Sequence, residues 1–135
     1  PTTLAGVRQM IKALRKGEAV GLLPDQVPPQ GQGQWAPFFG KDAYTMTLAA
    51  RLALQTGASV ILARCERLPA GRGYELFFEA LPMQLSAQLE DAVVQLNQAM
   101  EHTIQQCPTQ YLWGYGRYKQ PRQEAAVSAS EGGTA

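Results

Sequence analysis

The sequence is poorest in the side chains that most often carry chemistry on their own. It has one histidine, His102, which excludes a metal site built on several imidazoles. Its two cysteines, Cys65 and Cys107, stand in no C-x-x-C or other ligand spacing. Both are expected to be buried free thiols, packed as small hydrophobes in a reducing compartment. Excess charge is lacking too: twelve basic and eleven acidic side chains leave a net charge of +1, so bulk charge points to no polyanionic partner. No long hydrophobic run is present. The most apolar stretch, Leu52 to Ala63, is broken by Gln55, Thr56, Gly57 and Ser59. It falls short of the roughly 18 to 20 apolar residues of a bilayer span. There is no nucleophile elbow, no phosphate-binding glycine loop and no metal motif.

What is present suffices for a core: 45% of the 135 residues are hydrophobic, an ordinary share for one globular domain. Leu4, Val7, Ile11 and Leu14 recur at helical spacing, Arg8, Lys12, Arg15 and Lys16 line another face, and Gly17 is placed to end the helix. "EAVGLLP", residues 18–24, reads as a short buried strand closed by Pro24. From Asp25 to Gly40 the composition is that of a loop. Asp42 suits the N-cap of a helix from about Ala43 to Gln55, with Gly57 as terminator. "SVILARCERL" and "YELFFEAL", joined by "PAGRG", predict an antiparallel hairpin. Ser86 suits the cap of a last helix with the stripe Leu89, Val93, Leu96, Met100, Thr103, Ile104 and Cys107, stopped by Pro108. The tail from Gln123 has no aromatic and no period, and is expected to be disordered. A strand, a crossover helix and another strand suggest a parallel pair with a hairpin at one edge, an α/β class. Three strands make a thin sheet for so many apolar helices, which suggests that polypeptide is missing upstream.

Ligands of open α/β sheets gather beyond the carboxyl ends of strands. Asp25 and Gln26 stand at such an end. The carboxylate is suited to orient an arginine or a substrate hydroxyl, and the amide donates and accepts at once. A plain turn after Pro24 is the simpler explanation of the pair, because Asp is a common turn residue. Trp35, Phe38 and Phe39 suit either the wall of an apolar cleft for a chain-like ligand or an anchor into the core. Thr47 and Arg51 share a helix face, and Arg51, the one charge on that helix, needs a partner or an exit to water. Asp25 is the nearest acid by topology. The pair would be structural, or Arg51 would meet a phosphate or a thioester-linked carrier. The basic stripe of the first helix fits a solvated face, with an anionic membrane or an acidic carrier protein as the alternative. "QYLWGYGRYKQPR", residues 110–122, interleaves aromatics and cations, a pattern that also serves single-stranded nucleic acid. With charge near zero and no motif around it, nucleic acid is not expected as a partner. His102 falls among glutamines, and the position five residues on is Cys107 rather than an acid. It reads as a solvent-facing side chain.

"LLPDQVPPQGQGQWAPFFGKDAYTMTLAARLA" together with "QYLWGYGRYK" resembles the lipid A biosynthesis acyltransferases, the lauroyl/myristoyl transferases of Gram-negative bacteria. The likeness covers nearly everything from Val7 to Arg122, in the family's order. It implies the C-terminal half of a glycerolipid-acyltransferase-like fold: a partial mixed sheet flanked by helices over residues 1–122, and a disordered tail over 123–135. It implies transfer of a fatty acyl chain from acyl carrier protein to a hydroxyl of a lipid A precursor. The place would be the cytoplasmic face of the bacterial inner membrane, reached through the upstream part, with no cofactor. Pro24-Asp25-Gln26 looks like the counterpart of a Pro-Glu-Gly box that shapes an acceptor site, and the loop from Trp35 to Phe39 looks like a cleft wall. The substrate-binding set implied is Asp25, Gln26, Phe38, Thr47 and Arg51. Many members carry a second Asp where Val27 stands here. The family's His-x-x-x-x-Asp motif, in which His deprotonates the attacking hydroxyl, is absent and lies upstream in family order. No catalytic residue is therefore expected in this chain. The alternative is a free-standing module that binds an acyl carrier or a lipid without catalysis.

Overall fold

The computed structural model describes residues 4–123; apart from Gln123, the tail expected to be disordered lies outside them. Helix α1 (Leu4–Arg15) follows the apolar period and ends as expected. Gly17 takes φ 79, and its N–H reaches the Leu14 carbonyl at 3.0 Å. Residues 18–24 differ from expectation. They form no strand, and no backbone hydrogen bond ties Ala19–Leu23 to another described residue. A strand exists by pairing, and among the described residues these have no neighbour to pair with.

The second difference is a hairpin, β1 (Gly33–Phe38) with β2 (Lys41–Met46), where a loop and the start of a helix were expected. Its turn is Phe39-Gly40, with φ 48 and 72, the positive values that a two-residue hairpin turn requires at both positions. Phe39 holds this conformation against steric cost because its N–H donates to Glu101 Oε1 at 2.7 Å and its ring packs on Phe38. Asp42 therefore sits in β2 opposite Pro37, exposed, and caps no helix. Helix α2 (Leu48–Thr56) starts later, and Gly57 at φ 70 closes it.

Gly33 lets β1 pass closely over the loop before it. A Cβ there would lie 2.6 Å from the Thr45 carbonyl oxygen and 2.8 Å from Pro28 Cγ. Gly33→Ala is expected to destabilise the protein by about 2 kcal/mol through overpacking against backbone, read as a lowered midpoint in urea. An unshifted midpoint would mean that the hairpin moves aside freely.

Strands β3 (Ile61–Arg67) and β4 (Tyr74–Ala80) form the antiparallel hairpin that the sequence predicts, and α3 (Leu89–Gln106) follows. Gln88, rather than Ser86, occupies the N-cap of α3, and the Ser86 hydroxyl accepts the Gln88 N–H at 3.1 Å. The α/β class holds. The sheet is not the expected one: the described strands form two separate antiparallel pairs, and no parallel pair is made.

The core lies where α3 meets β1 and α2. Ala36, Ala50, Ala92, Val93 and Leu96 form one cluster, and Phe38, Ala43 and Met100 form the other. Three alanines at the crossing bring the backbones close. The far side of β3–β4 is different. Ile61, Ala63, Cys65, Tyr74, Leu76 and Phe78 share one face and are all exposed, Phe78 to 70% and Leu76 to 62%. Cys65 is thus an exposed thiol rather than a buried one, because β3 turns its odd-numbered residues to this uncovered face; Cys107 is half-buried, and both are free.

Candidate functional site

The segment from Pro108 to Arg122 crosses back over the loop that begins at Asp25. Three contacts fasten it. The Tyr111 hydroxyl donates to Asp25 Oδ2 at 3.2 Å, the Val27 N–H donates to the Tyr115 hydroxyl at 2.8 Å, and the Gln30 N–H donates to the Arg122 carbonyl at 3.0 Å. Two stretches singled out separately in the sequence are therefore one surface.

A hollow of about 490 Å³ opens beside Asp25. Val20, Leu22, Leu52, Leu62, Met100 and Ile104 give it an apolar lining, while Asp25 and Tyr111 bring polar groups to it. The phenol of Tyr111 is pushed up from 10.0 to about 12, chiefly by burial, then by the negative charge of Asp25 and the hydrogen bond to it. In the unfolded chain the phenol ionises near 10.0, in the folded protein only near 12, so the stabilisation present below the first value is lost as pH climbs to the second. Stability is expected to fall across that alkaline window. Tyr111→Phe should flatten this part of the profile. A profile that Tyr111→Phe leaves unchanged would show that the phenol stays un-ionised in both states or is exposed in both.

Beneath this surface lies a polar cluster. Asn97 is 0% exposed, and Thr45 and Arg117 are each 3% exposed. Arg117 Nη1 donates to the Tyr44 carbonyl at 2.9 Å and Nη2 to Thr45 Oγ1 at 2.8 Å. Asn97 Nδ2 donates to the Pro37 carbonyl at 2.8 Å and to Thr45 Oγ1 at 3.1 Å. The Thr45 hydroxyl in turn donates a hydrogen bond to the Ala43 carbonyl at 3.0 Å, so its bonding capacity is filled. Burial lowers the pKa of the Arg117 guanidinium, and the nearby tyrosines and Asp25 oppose that shift. The guanidinium also lies 4.9 Å over the Phe38 ring. The cluster locks hairpin, α3 and C-terminal segment together.

The residues expected to meet substrate are not gathered in one place. Asp25 lines the hollow and is half-buried, while Gln26 beside it is exposed. Phe38 is buried in the core, 1% exposed, between Phe39 and Tyr118, and the hollow lies elsewhere. Thr47 is buried; it donates to the Gln32 carbonyl at 3.4 Å and accepts from Arg51 Nε at 3.1 Å. Arg51 is exposed and forms no ion pair with Asp25, which is held by Tyr111 instead. Among the described residues the ion pair within bonding reach is Arg64 with Glu66. His102 is exposed, beside Gln106, as its polar surroundings in the sequence predict. Arg117 and Asn97 were not legible as a pair. The available signal is Asn97, an amide set within the apolar stripe of Val93, Leu96 and Met100.

A sequence model of the family described as bacterial lipid A biosynthesis acyltransferase matches residues 3–120. The chain belongs to that family. It is 35% identical over 117 residues to the lipid A biosynthesis lauroyltransferase of Escherichia coli K12, a match covering 84% of this chain and 38% of the relative. With the palmitoleoyltransferase of the same organism it shares 31% identity over 114 residues, 84% of this chain and 37% of the relative. A lipid A biosynthesis acyltransferase of Shigella flexneri matches to the same extent. The chain thus spans less than two fifths of the length of the curated relatives it matches. Within this acyltransferase family the matched region takes in both the Asp25–Tyr111 contact and the Arg117 cluster.

Proposed function

We propose that this chain forms the acceptor side of a longer acyltransferase, which moves a fatty acyl chain from acyl carrier protein to a hydroxyl of a lipid A precursor. The work is done at the cytoplasmic face of the inner membrane, with membrane contact through the rest of the protein. The observation that carries the reading is Asp25, held by Tyr111 beside an apolar hollow, within a chain of this family. One carboxylate oxygen of Asp25 bonds Tyr111; the other is free to accept from a hydroxyl of the acceptor and hold it in line for attack. Gln26, exposed beside it, offers a donor and an acceptor to the same sugar-like substrate. Arg51 has its Nε committed to Thr47, which leaves the exposed end of its guanidinium for an anionic group of the donor. Phe38 supports the site from beneath the guanidinium of Arg117.

The reaction is attack of the acceptor oxygen on the thioester carbonyl. A C–O bond forms, the C–S bond breaks, the hydroxyl proton passes to a base and the carrier leaves as a thiol. The base comes from polypeptide outside this chain. His102, exposed and without an acidic partner among the described residues, is not placed to serve. The test is to supply the full-length protein with an acyl-carrier thioester and a lipid A precursor, then to follow the acyl ester and the released thiol. Both are expected from the full-length protein and neither from residues 1–135 alone. No ester from the full-length protein, or ester from the 135-residue chain alone, would contradict the reading.

A further inference from the structure

The hydrogen bonds of β3 point to what fills the hollow. Residues of an antiparallel strand turn their N–H and C=O groups alternately to its two edges. The Leu81 N–H meets the Val60 carbonyl at 3.0 Å and the Leu68 N–H meets the Gly73 carbonyl at 2.8 Å, so even-numbered positions face β4. Odd-numbered positions face the opposite edge. At Arg67 that edge is occupied: its N–H donates to Gln110 Oε1 at 2.8 Å, and its carbonyl accepts from Gln110 Nε2 at 3.1 Å. A side-chain amide there makes the pair of bonds that a neighbouring strand would make. Further back, Ile61, Ala63 and Cys65 have no partner for these groups among the described residues. They border the hollow, and Val20–Leu23, equally unpaired, borders it too.

We propose that an extended segment of the same protein, from outside residues 1–135, lies in the hollow as a strand. It bonds along the free edge of β3 and ends at the Gln110 amide. The inference rests on the reading of this chain as part of a longer acyltransferase. Room for such a segment exists, since the matches cover only 38% and 37% of two relatives. An alkyl chain in the same place would cover three N–H and three C=O groups of Ile61, Ala63 and Cys65 and bond none of them. Burying such groups unpaired is costly, whereas a peptide strand satisfies each one. The apolar lining selects a strand with apolar side chains at alternate positions. Val20–Leu23, the stretch whose sequence reads as a strand, then gains the neighbour it lacks. Asp25 and Gln26 come to stand at the rim of a continuous sheet.

Hydrogen–deuterium exchange of the full-length protein, resolved to single amides across Leu62–Glu66, tests this. The Ala63 and Cys65 amides are expected to exchange at least about 100-fold more slowly than in an unstructured chain, at every protein concentration and without lipid. Free exchange would overturn the proposal. So would protection that appears only as concentration rises, which marks a second copy. Protection that appears only on adding an acyl thioester would assign the hollow to the acyl chain and overturn it as well. Acyl transfer measured on the same sample separates the two ideas. Transfer with free exchange removes the strand and keeps the function; protection without transfer does the reverse.

Discussion

Arg117→Met is expected to lower the unfolding free energy by about 2–3 kcal/mol, read from urea midpoints at constant slope. Methionine fills much of the volume, so the loss reports hydrogen bonds more than a cavity. The Tyr44 carbonyl and the Thr45 hydroxyl each lose a donor, at 2.9 and 2.8 Å, inside a cluster closed to water. The Thr45 hydroxyl keeps its bonds to Asn97 and the Ala43 carbonyl, so the acceptor left stranded is the Tyr44 carbonyl, at a cost of about 1–3 kcal/mol. Against this, the variant no longer buries a cation, and that relief offsets part of the loss. Arg117→Lys should recover little, because one ammonium cannot reproduce the fork that reaches both oxygens. A change below about 1 kcal/mol would show that the buried charge costs as much as its bonds return.

Phe38→Ala is expected to cost more, about 3–5 kcal/mol. Phe38 is the largest of the side chains sealed completely from solvent. Its ring packs edge-on to Phe39 at 4.9 Å and tilted against Tyr118 at 6.3 Å, with Arg117 above it. Truncation opens a cavity under the guanidinium that the small side chain of Ala43, its neighbour in the core, cannot fill. The two changes touch one another, so the double variant should lose less than the sum of the singles. Strict additivity would mean that ring and cation act independently.

These variants probe contacts that only the folded chain makes visible. The helices α1 and α3 were legible because their apolar side chains keep one period and glycine or proline marks an end. The β3–β4 hairpin was legible from alternation and a glycine-rich turn. The β1–β2 hairpin was hidden by composition. Proline, glycine and glutamine before it suggest a loop, and the alanine, threonine and leucine after Asp42 run without a break into true helix. Only the positive φ of Phe39 and Gly40 reveals why a glycine follows the paired phenylalanines. Residues 18–24 have the composition of a strand but not the partner, and composition alone cannot report a partner. For the site, Asp25 was legible from its place after Pro24, and its bond to Tyr111 was not, since 86 positions separate them. Arg51 illustrates the same limit: charge logic pairs it with Asp25, while the fold gives Asp25 a phenol and leaves Arg51 to Thr47 and water.

The most direct test of the account is the rate of acyl transfer by the full-length protein carrying Asp25→Ala. Asp25 is only half-buried, its hydrogen-bond partner is a neutral phenol and its charge acts on Arg117 without an ion pair, so the variant is expected to fold with a modestly lowered melting temperature. Loss of the group that aligns the acceptor hydroxyl should lower kcat/KM by about 100-fold. A folded Asp25→Ala enzyme that acylates its acceptor at the unmodified rate would contradict the assignment of this site.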